Sequence, residues 1–211
     1  MAEHPLPMSA PMVRAILDGK KTQTRRLVKP QPQMVTDMRT QPWDGSADVL
    51  LSLMTKAGKT CPYGKSGDQL WVRETVFINH FMGLQVPVAE RADCELYYRA
   101  TDEADMRKWE DHEGIRWTPS IHMPRWASRI TLELTGVRVE RLQDISEADA
   151  RAEGIDYDPG EGGVFHVSGL AGCCNETAIG SYRKLWESIY GTGSWAANPW
   201  VWVLLFKKVA A

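Results

Sequence analysis

The sequence has little that would tie it to a metal, a membrane or a long polyanion. Its four cysteines include no C-x-x-C pair: Cys61 and Cys94 stand alone and Cys173 and Cys174 are adjacent. Neighbouring residues make a poor two-point clamp, so even with His166 nearby a metal site is set aside, and free thiols in a reducing compartment are the expected state. No apolar run approaches the roughly 20 residues of a membrane span. The start, "MAEHPLPMSAP", lacks the basic and apolar regions of a signal peptide, so the expected address is cytoplasmic, with no membrane partner. A net charge of -2 supplies no global positive field, so any contact with nucleic acid or nucleotide must be local.

What is present reads as an ordinary globular chain. Its 211 residues, 43% hydrophobic and 25% charged, suffice for one domain with insertions and a substantial core. Three helices are legible. The first has Ser9 as N-cap, Pro11 in its first turn, an apolar face of Met12, Val13, Ile16 and Leu17, and Gly19 as stop. The second opens on Ser146 and Asp149, spaced as a capping box, and ends at Gly154. The third carries Tyr182, Leu185, Trp186 and Ile189 at helical spacing before Gly191. Stretches 67–78, 94–100, 128–142 and 200–208 are rich in β-branched and aromatic residues and read as strands. Long connections around 30–64, 101–119 and 156–180 read as irregular insertions. The pattern predicts a single α+β domain over 1–211, a strongly bent or barrel-like mixed sheet with short helices at its ends.

One short stretch carries most of the chemistry. "GKKTQTRR", residues 19–26, follows the first helix. If extended, it alternates Thr22, Thr24 and Arg26 on one face with Lys21, Gln23 and Arg25 on the other. If it turns tightly, Lys21 and Thr24 meet. A threonine hydroxyl attacks only when a neighbouring base takes its proton, and a lysine is that base only with a lowered pKa. Burial and the adjacent Arg25 and Arg26 both push in that direction. A short basic run on its own is usually a solvated face.

The wider order of motifs is more specific: G-x-K-x-x-T-x-R at Gly19, Lys21, Thr24 and Arg26, then "GDQLWVRE", a capped helix ending "AEG", and a last strand "NPWVWVLLF". This order resembles the ASCH domain, a branch of the PUA-like superfamily, over nearly the whole chain. The resemblance implies a PUA-like mixed β-barrel with the long loops as insertions. The usual ASCH motif has Glu where Thr24 stands here, and the small ASCH proteins that hydrolyse N4-acetylcytidine also have Thr. In those a Lys, a Thr and a Glu are the catalytic set. Lys21 and Thr24 match directly, and Glu153, late in the helix after the central strands, matches by position.

The resemblance therefore implies an amidohydrolase, without metal or cofactor, acting on N4-acylated cytosine, cytidine or deoxycytidine. Its partner would be a small modified nucleobase or nucleoside. Arg26 or backbone N–H groups would stabilise the oxyanion. The alternatives within the same class are an RNA-binding module and a ribonuclease. "WTPSIHMPRWASR", 117–129, resembles a segment of phage-encoded ASCH proteins. In it Trp126 is a candidate base-stacking residue or a core anchor, and Arg125 a candidate contact to a carbonyl or phosphate. Glu74, at the end of "WVRE", is a second candidate carboxylate for substrate binding, or one half of an ion pair. The insertions contain Trp43, Tyr63, Trp117, Tyr157 and Phe165, expected to wall an acyl pocket.

Overall fold

A computed structural model describes residues 1–32, 46–56, 58–113, 116–160 and 163–209. It is α+β. The central five-stranded sheet has the order β1 (Glu3–Pro7), β3 (Gln69–Arg73), β6 (Thr131–Arg141), β9 (Trp200–Lys208) and β2 (Gln23–Leu27). β1 runs parallel to β3 and the other neighbours are antiparallel. β9 is central and almost wholly buried from Trp200 to Leu204, in keeping with its unbroken apolar and aromatic run. β6 carries an irregularity between Leu134 and Gly136, which bends it across the sheet.

The expected barrel is not closed by backbone hydrogen bonds, because β1 and β2 remain as edges. They approach each other at one end, where the Arg26 guanidinium of β2 donates to the Pro7 carbonyl of β1 at 2.8 Å. α1 (Ala10–Leu17) links these two edges. Ser9 is its N-cap with extended backbone, Met12, Val13, Ala15 and Ile16 are buried, and Gly19 at φ +72° turns the chain into β2. α4 (Glu147–Ala152) begins at Ser146, whose hydroxyl accepts the Asp149 N–H at 3.0 Å. α5 (Ala178–Tyr190) is capped by Thr177, accepting from Gly180 N–H, and buries Tyr182, Leu185 and Trp186.

The insertions have more structure than their sequence indicates. Residues 46–64 include α2 (Ala47–Lys56), and 156–180 include a small hairpin of β7 (Asp156–Asp158) and β8 (Val164–His166). The 101–119 stretch, expected to be irregular, is largely α3 (Arg99–Glu113). It presents few apolar residues, so periodicity did not reveal it. It is favoured instead by good helix formers, by Asp102 accepting the Tyr98 N–H at 2.7 Å, and by the Arg99–Glu103–Arg107 pairs at i,i+4. The expected strand at 67–78 breaks at Glu74 and Thr75. Beyond the break, β4 (Val76–Asn79) pairs with β5 (Glu95–Tyr98) as a separate hairpin. This hairpin covers a small apolar cluster of Val76, Ile78, Val86, Met123 and Ala127, distinct from the main core. No helix among the described residues is long and apolar enough to cross a membrane.

Candidate active site

The site is built where the end of α1, the start of β2 and the end of α4 meet. The Lys21 N–H donates to Ala15 O and the Thr22 N–H to Ala152 O, each at 2.9 Å, so the GKKT turn is tied to both helices. Lys21 also forms a single antiparallel bridge with Glu153, the C-cap of α4. Gly154 makes this approach possible. Its φ is +96°, and a Cβ there would lie 3.0 Å from Ala15 Cβ and 3.4 Å from Lys21 Cβ. The glycine that ends the helix is thus also the contact surface for the lysine.

Lys21 is buried, and its ammonium nitrogen lies 2.7 Å from Glu153 Oε2 and 2.7 Å from the Glu153 carbonyl. Burial pulls its pKa below the ordinary lysine value. Glu153 opposes that shift, while the charges of Arg26 and Arg25 add to it. The second carboxylate oxygen of Glu153 accepts from Arg25 Nη1 at 3.2 Å. Arg25, itself fully buried, also bonds Glu140 of β6 through Nε at 3.0 Å and Asp149 of α4 at 3.3 Å. Arg138 closes the network, reaching Glu140 at 2.9 Å and Asp149 at 3.2 Å. Gln23 adds bonds to the Asp149 carbonyl and carboxylate. Alternation along β2 thus sends Gln23 and Arg25 toward α4, as extended geometry requires. Arg25 thereby holds the Glu153 carboxylate, and Gln23 holds Asp149, another of the carboxylates that Arg25 meets.

Thr24 is buried, and its hydroxyl has no hydrogen-bond partner among the described residues. Thr24, Lys21, Arg25, Arg26 and Glu153 all line one cavity of about 390 Å³. Its remaining walls are mostly apolar: Met8 and Met12 at the α1 side, and Tyr182, Trp186 and Tyr190 from α5. Burial holds the Tyr182 phenol well above its usual pKa, and the Glu153 charge acts in the same direction. The cavity is therefore a mainly apolar slot holding the Thr24 hydroxyl, the Lys21–Glu153 pair, and Arg25 and Arg26 along β2. Among the described residues Arg26 has no carboxylate partner; it donates to Pro7 O and lies 3.6 Å from the Met8 sulfur.

The structure does not bring the other candidates to this cavity. Glu74 is buried, but both its oxygens are taken by Arg129, at 2.9 and 3.0 Å, and it does not line the cavity. Arg125 is paired with Glu3 through two bonds of 2.9 Å at the surface. Trp126 packs against the smaller apolar cluster with the Arg91 guanidinium over its ring, 5.4 Å from the centroid. From these stretches, Thr75, next to Glu74, and Ser120, five residues before Arg125, reach the cavity wall. All three residues are drawn away by partners on elements remote in sequence. Of the aromatics expected to wall an acyl pocket, Trp43 lies outside the described residues, and Trp117, Tyr157 and Phe165 line no part of it. Tyr63 lines a neighbouring cavity instead. The walls come from α5, where Tyr182, Trp186 and Tyr190 follow one another at four-residue steps; the sequence reading marks Tyr182 and Trp186 only by their helical spacing and does not single out Tyr190. Arg25 as the organiser of three carboxylates was also not foreseen.

Among the described residues no group of three or more His, Cys, Asp or Glu side chains converges as a cation site. Comparison with family models, with curated proteins and with solved structures finds no match for this chain.

Proposed function

We propose that the protein is an amidohydrolase that cleaves the N4-acyl amide of an acylated cytosine, cytidine or deoxycytidine, on an ASCH-type, PUA-like fold. The observation that carries this reading is the convergence of Lys21, Thr24 and Glu153, from two distant parts of the chain, on one cavity beside Arg26. The motif order supplies the substrate class, and the cavity lies in the size range of small-molecule sites.

The chemistry follows from the contacts. Lys21 in its uncharged form takes the proton of the Thr24 hydroxyl as the oxygen attacks the acyl carbon, and the carbonyl electron pair moves onto its oxygen. Arg26 offers positive charge to that oxyanion. When the intermediate collapses, the bond from the acyl carbon to N4 breaks. The proton passes from Lys21 across the 2.7 Å contact to Glu153 and on to the departing amine. The cytosine amine is a good leaving group for an amide, because its charge delocalises into the ring. Water then attacks the Thr24 ester with the same pair as base, releasing the carboxylic acid and restoring the hydroxyl. Direct attack of water, with Thr24 orienting the substrate, uses the same residues.

The test is to incubate the purified protein with N4-acetylcytidine, following cytidine release by absorbance, with RNA in parallel. Release is expected, and its loss in Thr24→Ala ties it to this site. RNA cleavage without amide hydrolysis would reverse the assignment in favour of a ribonuclease.

A further inference from the structure

A second cavity of about 420 Å³ adjoins the first, and Arg26 and Tyr190 line both. Its lining differs in character. Arg26, Lys29 and Lys59 contribute three cations, Tyr63 and Trp202 contribute aromatic surface, and no Asp or Glu lines it among the described residues. Neither lysine has an ion-pair partner among those residues, and Arg26 has none either. In a chain that carries more acidic than basic side chains, three cations around one cavity, with no carboxylate among its described lining residues, are a local departure that calls for an anion. Burial raises the Tyr63 phenol above its ordinary pKa, against the charge and the hydrogen bond of the neighbouring Arg26.

We infer that this second cavity receives the phosphate of a nucleotide, so that the preferred substrate is an N4-acylated cytidine or deoxycytidine monophosphate. The inference rests on the proposed hydrolysis at the first cavity. There the acyl carbon must lie against Thr24 and Lys21, and the rest of the molecule must leave past Arg26 and Tyr190, the residues common to both spaces. An acyl chain directed into the second cavity would desolvate three cations and return nothing to them. A phosphate would be met by two lysines as mobile point charges, with the Arg26 charge at the border of the two spaces adding to their field. A single phosphate also reconciles the cationic cavity with the negative net charge, which disfavours a long polyanion.

Two measurements decide it. Calorimetric binding of cytidine and of its 5′- and 3′-monophosphates needs no turnover. One monophosphate should bind at least about tenfold tighter than cytidine, the scale of one added charge-assisted bond, with the advantage shrinking as salt rises. The ratio of kcat/KM for the matching N4-acetylcytidine monophosphate over N4-acetylcytidine should likewise exceed one, and fall toward one in the Lys29→Ala/Lys59→Ala double variant. Equal binding of cytidine and both monophosphates, or a ratio that the double variant leaves unchanged, overturns the inference. If neither acetylated compound is hydrolysed, the amidohydrolase reading fails, and product binding alone then decides whether the cavity takes a phosphate.

Discussion

Two buried glutamates, Glu153 and Glu74, are held by cations in opposite kinds of surroundings. Glu74 sits where β3 gives way to the β4–β5 hairpin, and its carboxylate meets the Arg129 fork with both oxygens. Arg129 also lies over the Tyr98 ring, 3.8 Å from its centroid. That arrangement occupies both carboxylate oxygens, and neither residue lines either of the two cavities, so the pair ties the segment before the hairpin to the start of β6. Glu153 divides its oxygens between Lys21 and Arg25, and it opens on a slot that also holds an unpartnered hydroxyl. Burial and ion pairing are common to both. The difference lies in the partner: an arginine keeps its proton, whereas a buried lysine beside two arginines is pushed toward releasing it. Under the proposed mechanism it is the pair beside the cavity, and not the one beneath the hairpin, that moves the proton.

The largest effect that would break this comparison is on turnover. Lys21→Ala, Thr24→Ala and Glu153→Ala should each lower kcat for N4-acetylcytidine by roughly 10²–10⁴, the usual reach of general acid–base catalysis. Combined, they should lose little more than each alone, because they act as one unit. Glu74→Gln should stay within a few-fold of wild type. A Glu74 variant as inactive as the Glu153 one would erase the distinction.

Stability gives a second measure of the Glu74 pair. Glu74→Ala strands Arg129 against the hairpin and should cost about 2–3 kcal/mol in urea unfolding, below the full cost of a buried pair because Arg129 is partly exposed. The double variant with Arg129→Ala should recover part of that loss. Additive losses would mean that the pair contributes nothing as a pair.

The third prediction concerns pH. Since folding lowers the Lys21 pKa below 10.5, the unfolded chain binds a proton that the folded chain lacks between the lowered value and 10.5. Lys21 therefore costs stability at low pH, and its share of stability rises with pH through that window. kcat/KM should rise over the same lower limb as Lys21 loses its proton. Lys21→Ala should flatten the stability slope while Glu74→Gln leaves it in place. A kcat/KM profile flat from mildly acidic to alkaline pH would remove Lys21 as the base.

The smallest effect concerns acyl size. The slot walls near the acyl position include Met8 and Met12, adaptable side chains, so butyryl and benzoyl derivatives should be turned over within about tenfold of acetyl. Met12→Ala should shift the benzoyl-to-acetyl ratio in favour of benzoyl. Met123→Ala, beside Glu74, should not change it. A steep fall with acyl size would mean that the slot closes around acetyl.

Local sequence carried much of this protein. Ser9, Pro11 and Gly19 bracket α1; Ser146, Asp149 and Gly154 bracket α4; and β6 and β9 announce themselves by their β-branched and aromatic runs. Such signals act within a few residues, where backbone preference and side-chain capping operate. The spacing of Lys21, Thr24 and Arg26 is equally local. Tertiary structure brings Glu153, to which only the motif order had pointed, across 132 residues to within 2.7 Å of Lys21. It also sent Arg125, Trp126 and Glu74 to other partners, left β1 and β2 as unpaired edges that meet through Arg26, and drew the walls of the slot from α5. An ion pair or a cavity wall depends on which segments the closed chain brings together, and that contact energy leaves no periodicity in the sequence for a reader to find.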